Sequence, residues 1–206
     1  MKKVIIFDMD GTLVDSSLTI ARAINHVRNR LGLTSLDEKE ILEKVNDPSV
    51  HSALHFYETD TFTPNQEEWF ADYYHDHHKE ELRLYDGIKE LLHELKDEGF
   101  KLAVATNSYR VSTQQSLSHL QILSLFDKLA CYDDVPQGKP HPDMLFQLLD
   151  AFQIEAKEAL FIGDSERDAE ASKSAKIDYL MVNWGFSDHA DAIENIATLK
   201  EKILEA

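Results

Sequence analysis

Short apolar runs, rich in β-branched residues and ending in polar or glycine residues, recur along this chain of 206 residues. Runs of this kind are typical of strands that are buried on both faces of a parallel sheet. Helical patterns separate them, and alternating strands and helices predict an α/β fold with right-handed crossovers. The predicted strands are residues 4–7, 102–105, 160–162 and 179–182, with a weaker strand at 129–132.

Two helical patterns are clear between these strands. Apolar residues recur at helical spacing from Ile88 to Leu95, and a second stripe runs from Met144 to Phe152. Gly99 follows the first pattern and is predicted to end that helix, since glycine accepts the left-handed conformation common there. We therefore predict a Rossmann-like core of three layers, with helices covering a parallel sheet.

A long stretch after the first strand breaks the alternation. From about residue 16 to residue 83 no strand run is present, and the signals are helical at 20–31, 36–45 and 69–74. We expect an all-helical insertion at residues 15–85. Residues 1–14 and 86–206 would then form one α/β core.

Composition excludes several classes of partner. The 38 acidic residues outnumber the 21 Lys and Arg and give a formal charge of −17, so nucleic acid and anionic membranes are unfavourable partners. The apolar run at 4–7 is too short for a signal peptide or a membrane span, which predicts a cytoplasmic protein. The single cysteine, Cys131, excludes internal disulfides and zinc sites built on several thiolates. A monomer and a homodimer are both compatible with the sequence.

Polar residues follow the predicted strands where each strand ends. In open parallel sheets the ligand crevice lies outside the carboxyl ends of the strands, so we expect these residues to meet at one edge. They include four carboxylates, a lysine and two hydroxyls. The segments are DMDGT at 8–12, TNS at 106–108, GKP at 138–140 and GDSERD at 163–168.

Such a cluster needs a cation. Carboxylates packed within a few ångströms raise one another's pKa unless positive charge neutralises them. Oxygen ligands select a hard ion such as Mg²⁺ over zinc or copper. A metal beside a lysine, a hydroxyl and glycine-flanked backbone N–H groups is suited to bind phosphate, so the residues predict phosphoryl chemistry.

In order and spacing, the four segments resemble the four motifs of the haloacid dehalogenase superfamily. The chain is most similar to the branch of phosphoglycolate phosphatases and β-phosphoglucomutases, which carry a helical cap after the first motif. The likeness covers essentially the whole sequence. It implies a mobile cap at residues 15–85 and a Mg²⁺-dependent phosphatase that hydrolyses a small phosphorylated metabolite, a phosphate monoester.

The resemblance also implies the catalytic roles. Asp8 would be the nucleophile that forms an aspartyl-phosphate, and Asp10 the general acid that protonates the leaving group and then activates water. Thr106 would donate to a phosphate oxygen. Lys139 would offset charge on both Asp8 and the phosphoryl group. The dehalogenases of the superfamily lack an acid at the position of Asp10, which favours a phosphate ester here.

Metal and phosphate ligands follow from the same resemblance. The side chains of Asp8 and Asp164 and the backbone carbonyl of Asp10 would hold Mg²⁺. Asp168 would either bind the metal or contact a residue that does. Backbone N–H groups would complete the phosphate cradle, and they belong to Met9, Asp10 and Asn107.

The predicted cap departs from the family pattern. Family members often have a Gly-x-Pro-like turn with a nearby basic residue, whereas this chain has NDPSVH at residues 46–51. The departure leaves Asn46 and His51 as candidate contacts to the leaving group. Arg22, on the first helix of the insertion, could supply the missing positive charge.

Two other functions fit the same residues. A sugar-phosphate mutase, resembling β-phosphoglucomutase, would use the aspartyl-phosphate to phosphorylate a second hydroxyl. A non-catalytic binding protein on the same fold is an alternative of a different class. The presence of all the catalytic residue types favours an enzyme over a binding protein, whereas the sequence alone separates the phosphatase poorly from the mutase.

Overall fold

The computed structural model describes residues 1–45, 47, 49–184 and 191–206, without the side chains of residues 78 and 79. The chain forms two compact units. The first, here called the sheet unit, comprises Met1–Asp15 and Arg83–Ala206. The second, here called the helical unit, is Ser16–Leu82.

The strands are short, and the ones predicted from sequence are present with small shifts of their ends. A pair of two-residue strands, β2 and β3, was not predicted because so short a run has no recognisable pattern. The strands are β1 (Val4–Phe7), β2 (Val14–Asp15), β3 (Arg83–Leu84), β4 (Lys101–Ala105), β5 (Lys128–Ala130), β6 (Ala159–Gly163) and β7 (Asp178–Met181).

Five of the strands form one parallel sheet in the order β5-β4-β1-β6-β7, which confirms the predicted α/β class. The central strand β1 is flanked on both sides, and Phe7 lies beside Val104 on β4 and Ile162 on β6. The three neighbouring strands therefore end nearly level. Residues that follow them, beginning with Asp8, are brought to the same edge.

Helices alternate with the strands of the parallel sheet along the chain. In the described residues the helices are α1 (Ser17–Arg30), α2 (Glu38–Val45), α3 (Ser52–Tyr57), α4 (Pro64–Glu81), α5 (Ile88–Asp97), α6 (Arg110–His119), α7 (Asp143–Phe152), α8 (Glu166–Ala175) and α9 (Ile196–Glu205). The predicted end of α5 is confirmed, because Gly99 follows it with φ +90°. Helices α3, α6, α8 and α9 were not predicted. Of these, α6 has few apolar residues and α8 buries mainly alanine and serine.

The core of the sheet unit explains why β1 is apolar throughout. All four of its side chains are buried, as expected for a central strand covered on both faces. One side of the sheet packs against α7 and α8 through a cluster that includes Ile6, Phe161, Leu145 and Ala171. Because the core is dense there, the strand ends are held in fixed positions.

The weakly predicted strand at 129–132 ends earlier than expected, at Ala130. The backbone N–H of Cys131 donates to the Asp134 carboxylate at 2.7 Å, and the chain turns into a short 3₁₀ helix at Tyr132–Asp134. Cys131 itself is buried, so burial raises the pKa of its thiol to about 11.

The helical unit has a core of its own, formed by α1, α2 and α3. Its buried residues include Ile24, Val27, Ile41 and Phe56. No strand lies within Ser16–Leu82 among the residues described, as the sequence indicated. None of the described helices combines the length and the apolar character that a membrane crossing requires.

Candidate active site

Asp8 is the first residue after the central strand and is almost fully buried, with 6% of its surface exposed. Its backbone N–H still donates to the Ile162 carbonyl at 2.8 Å, which continues the sheet pairing. Immediately beyond, the chain folds back, since the N–H groups of Leu13 and Val14 both donate to the Met9 carbonyl at 2.9 Å. This compact loop fixes the side chain of Asp8 at the edge of the sheet.

Gly11 permits a close approach within that loop. Its φ of +87° lies in the left-handed region. A Cβ at this position would stand 2.1 Å from Oδ2 of Asp164, so no side chain fits there. The glycine thus brings the segment after β6 against the segment after β1.

Lys139 is the buried cation of the site. Its Nζ lies 2.5 Å from Oδ1 of Asp8 and 2.6 Å from Oδ1 of Asp168, and the residue is 7% exposed. Burial opposes the charged form, but Asp168 and Asp8 together raise the pKa of Lys139 above its usual range. The lysine therefore carries a positive charge between two carboxylates.

Three buried carboxylates share this small volume. Ligand oxygens of Asp8, Asp164 and Asp168 all lie within 4.8 Å of one another. Burial raises the pKa of Asp8 to about 7, although Lys139 acts in the opposite direction. Burial also raises the pKa of Asp164, and the charges of Asp8 and Asp168 add to the effect. One ammonium does not balance three carboxylates.

This imbalance provides the test of whether a metal fits. A cation bound among the carboxylates would favour their charged forms and so oppose the burial and mutual repulsion that raise their pKa values. All donor atoms in the cluster are oxygens, which are the ligands of hard ions such as Mg²⁺. The residues present therefore fit a hard cation such as Mg²⁺, and the assignment of Asp8 and Asp164 as its side-chain ligands stays a prediction.

The predicted alternatives for Asp168 can be compared with its contacts. Its Oδ1 pairs with Lys139, whereas its Oδ2 accepts from the Ser165 hydroxyl at 2.7 Å and the Ser165 N–H at 3.2 Å. Gly163 leaves room for it, because a Cβ there would lie 2.6 Å from Oδ2. Both oxygens thus contact protein groups, and this arrangement favours a role in holding Lys139.

Asp10 has a partner that was not among the predicted site residues. The Ser108 hydroxyl donates to Oδ2 of Asp10 at 2.9 Å. The Ser108 N–H in turn donates to Oγ1 of Thr106 at 3.1 Å, and Thr106 is buried. The signal in the sequence was the second hydroxyl of the TNS segment, which the order of strand ends places near Asp10.

The Asn107 side chain joins two loops of the site. Its carboxamide makes two hydrogen bonds to the main chain of Lys139, across 32 positions of sequence. The prediction for Asn107 concerned its backbone N–H, so this side-chain contact was not foreseen. Met9 is fully buried, and its carbonyl holds the first loop together.

The predicted contacts in the helical unit have local partners. Nδ1 of His51 accepts from the Leu54 N–H at 3.3 Å and so caps α3. The Arg22 guanidinium lies 2.8 Å from Glu81 and 3.5 Å from Glu38, and the Glu81 carboxylate raises the pKa of Arg22. Asn46 lies outside the described residues. Substrate contact by any of these three stays a prediction.

The fold and the geometry of the site together define a class of protein. A parallel α/β sheet that gathers a buried lysine, three carboxylates and hydroxyls at its carboxyl edge is an architecture suited to phosphoryl groups. The family of haloacid dehalogenase-like hydrolases matches residues 5–182, and the chain belongs to this family.

Several similar proteins are named as phosphatases. The chain is 33% identical over 195 residues to a phosphoglycolate phosphatase of Colwellia psychrerythraea, which covers 90% of this chain and 86% of that protein. It is 28% identical over 193 residues to the pyrophosphatase PpaX of Bacillus cereus, covering 90% and 85%. The crystal structure of a predicted phosphatase from Clostridium acetobutylicum matches with 26% identity and a TM-score of 0.86, over 100% of both chains.

Proposed function

We propose that this protein is a Mg²⁺-dependent phosphatase that hydrolyses a small phosphate monoester through an aspartyl-phosphate on Asp8. The observation that carries the proposal is the ammonium of Lys139, buried and paired with Asp8 inside a cluster with excess negative charge. A site of this kind needs a metal to be stable, and with a metal and a lysine it attracts a phosphoryl group.

The similar proteins support the reaction class. One is named for phosphoglycolate and the other for pyrophosphate, so the names differ in the leaving group and agree in the phosphoryl group. We infer a small phosphorylated metabolite as substrate, in the manner of a phosphoglycolate phosphatase. Recognition of its leaving group by the helical unit stays a prediction.

In the first chemical step, a carboxylate oxygen of Asp8 attacks phosphorus and the bond from phosphorus to the leaving oxygen breaks. Asp10 gives its proton to that oxygen, and the alcohol departs. Lys139 offsets the negative charge of the transferring group, and the Thr106 hydroxyl donates to one of its oxygens. The products of this step are the free alcohol and Asp8 as an acyl phosphate.

In the second step, water attacks the phosphorus of the acyl phosphate. Asp10, now a carboxylate, takes the proton from the water, and the bond from phosphorus to the Asp8 oxygen breaks. Orthophosphate leaves and Asp8 is restored as a carboxylate. The Ser108 hydroxyl, 2.9 Å from Oδ2 of Asp10, limits the rotation of that carboxyl group through both steps.

The chain offers Asp8, Asp164 and the Asp10 carbonyl as the groups that would hold Mg²⁺. When bound, the ion supplies positive charge that lets the carboxylates and the phosphoryl group lie together. Asp168 keeps Lys139 in place beside this cluster, because its Oδ1 is 2.6 Å from the lysine Nζ.

Release of orthophosphate from a panel of compounds tests the proposal. With millimolar Mg²⁺, the protein should release phosphate from at least one phosphate monoester, such as phosphoglycolate or a small sugar phosphate, and pyrophosphate is assayed beside them as a phosphoanhydride. Asp8→Asn should reduce turnover by about 10⁴-fold or more, because the amide is a poor nucleophile. Unchanged circular dichroism would show that the variant is folded.

Two results would contradict the proposal. Appreciable turnover by Asp8→Asn would exclude Asp8 as the nucleophile. Interconversion of a hexose phosphate without net phosphate release would indicate the sugar-phosphate mutase instead.

A further inference from the structure

The Asn107 side chain forms two hydrogen bonds with the main chain of Lys139. Its Nδ2 donates to the Lys139 carbonyl at 2.9 Å, and its Oδ1 accepts from the Lys139 N–H at 2.8 Å. Both distances are those of good hydrogen bonds. Because a single rigid carboxamide satisfies the donor and the acceptor of the same residue, it restrains both the position and the orientation of the lysine backbone.

Gly138 makes room for this pair of bonds. Its φ is not among the positive values of the chain, so the backbone conformation itself does not require glycine. Space does, since a Cβ would lie 2.7 Å from Oδ1 of Asn107 and 2.8 Å from the Tyr132 ring. The residue before Lys139 thus lacks a side chain at the place where the carboxamide approaches.

The loop that carries Asn107 is itself held in place. On one side, Thr106 donates its N–H to the Ala130 carbonyl at 3.0 Å. On the other side, the Ser108 hydroxyl donates to Asp10, and the backbone carbonyl of Ser108 accepts from the Tyr132 N–H at 3.1 Å. Asn107 therefore connects Lys139 to a loop that is already fixed relative to Asp10.

We propose that Asn107 is a positioning residue, whose carboxamide places the Lys139 ammonium at Asp8. The role given to the lysine rests on the proposed function, whereas its placement can be measured without any reaction. The backbone N–H of Asn107, predicted to bind phosphate, is a separate group and is kept in Asn107→Ala. Substitution of the side chain therefore isolates the contact with Lys139.

A double-mutant cycle on phosphate affinity tests this coupling. The probe is inorganic phosphate with saturating Mg²⁺, measured by calorimetry for the wild type, Asn107→Ala, Lys139→Met and the double variant. Asn107→Ala should weaken binding by about 10-fold. In the Lys139→Met background the same change should alter binding by less than about 2-fold, because the group it positions is gone.

Asn25 provides a matched control in the helical unit. Its carboxamide makes the same two bonds to the main chain of Leu36, at 2.9 and 2.8 Å. Asn25→Ala removes the same chemical groups and should leave phosphate affinity unchanged. An equal loss of affinity in Asn25→Ala, or a full effect of Asn107→Ala without the lysine, would overturn the proposal.

The second readout observes the lysine directly. In protein labelled with ¹⁵N-lysine, the buried ammonium of Lys139 should give a slowly exchanging NMR signal that Asn107→Ala broadens or abolishes and Asn25→Ala preserves. If Asn107→Ala does not fold, Gly138→Ala serves instead, since its Cβ would displace the same carboxamide. An unchanged signal in the folded variant would refute the placement.

The two proposals fail in different ways. Absence of phosphate binding by the wild type would contradict the proposed function, and the ammonium signal would still decide the role of Asn107. Phosphate binding that is insensitive to Asn107→Ala, with an unchanged ammonium signal, would overturn the positioning role and leave the proposed function standing.

Discussion

Lys139 in the sheet unit and Arg28 in the helical unit are both buried cations, with 7% and 6% of their surfaces exposed, but their partners differ. Lys139 lies between the carboxylates of Asp8 and Asp168. The Arg28 guanidinium instead donates to two backbone carbonyls, those of Thr34 at 2.7 Å and Phe56 at 2.5 Å.

The difference distinguishes a buried charge that stabilises the fold from a buried charge that is suited to take part in chemistry. Two backbone carbonyls accept from the Arg28 guanidinium and tie α1 to the segments around it, which is a structural use of the charge. The cluster around Lys139 keeps more carboxylates than cations, and a further cation or the uptake of protons is needed to neutralise them. Burial of a cation alone therefore does not indicate a site, whereas several carboxylates buried around one ammonium do.

Removal of the metal should have the largest effect, and it should act on the cluster around Lys139 and not on Arg28. With excess EDTA, phosphate release should fall to background, because the cluster of Asp8 and Asp164 needs the cation. Addition of Mg²⁺ beyond the chelator should restore the rate. A phosphatase assay checks both steps, and activity that persists in chelator would count against the metal site.

Lys139→Met should reduce kcat by about 10²- to 10³-fold, since it removes the positive charge that offsets the transferring group. Methionine keeps much of the apolar length of the side chain. Steady-state kinetics at saturating Mg²⁺ measure the effect. A rate close to that of the wild type would show that the buried ammonium has no part in the chemistry.

Arg28→Met should affect stability and leave phosphate binding unchanged. The carbonyls of Thr34 and Phe56 would lose their donors, which costs about 1–3 kcal/mol of unfolding free energy. Urea denaturation gives that difference, and calorimetry with inorganic phosphate gives the binding. Weakened phosphate affinity in a folded Arg28→Met protein would break the distinction between the two cations.

The last effect concerns pH in the metal-free protein. Burial raises the pKa of Asp8 from its ordinary value of 3.8 to about 7, so between these limits the folded protein binds one more proton than the unfolded chain. Stability should therefore fall as pH rises from about 4 to 7, by at most about 1.4 kcal/mol per pH unit for this group.

Asp8→Asn is the control for this slope. The variant should show a flatter dependence of unfolding free energy on pH in EDTA, because the titrating group is absent. Urea titrations at several pH values measure it. An equal slope in both proteins would assign the pH dependence to other groups.

The sheet and the set of polar residues at its carboxyl edge were predictable from sequence because both depend on local patterns. The apolar run Val4–Phe7 is typical of a buried strand, and the residues that follow such a strand lie at the carboxyl edge of the sheet. Helices α6 and α8 escaped prediction because alanine, serine and glutamine give no apolar stripe. Their positions depend on tertiary packing.

Contacts across loops were the part of the site that sequence did not provide. The bond from Ser108 to Asp10 and the bonds from Asn107 to Lys139 join residues 98 and 32 positions apart. Their existence depends on the register of neighbouring strands and on the missing side chain of Gly138, neither of which is encoded in a local pattern.

The most direct test of the central claim is detection of phosphate on Asp8 itself. The protein is mixed with Mg²⁺ and a phosphate ester that it hydrolyses, and the reaction is quenched in acid during turnover. Borohydride is then added, which reduces an acyl phosphate to an alcohol. Mass spectrometry of the peptide that contains residues 8–12 should then show homoserine in place of Asp8, and Arg28→Met should give the same product. An unmodified Asp8 in a turning-over sample, or modification at another carboxylate, would contradict the account.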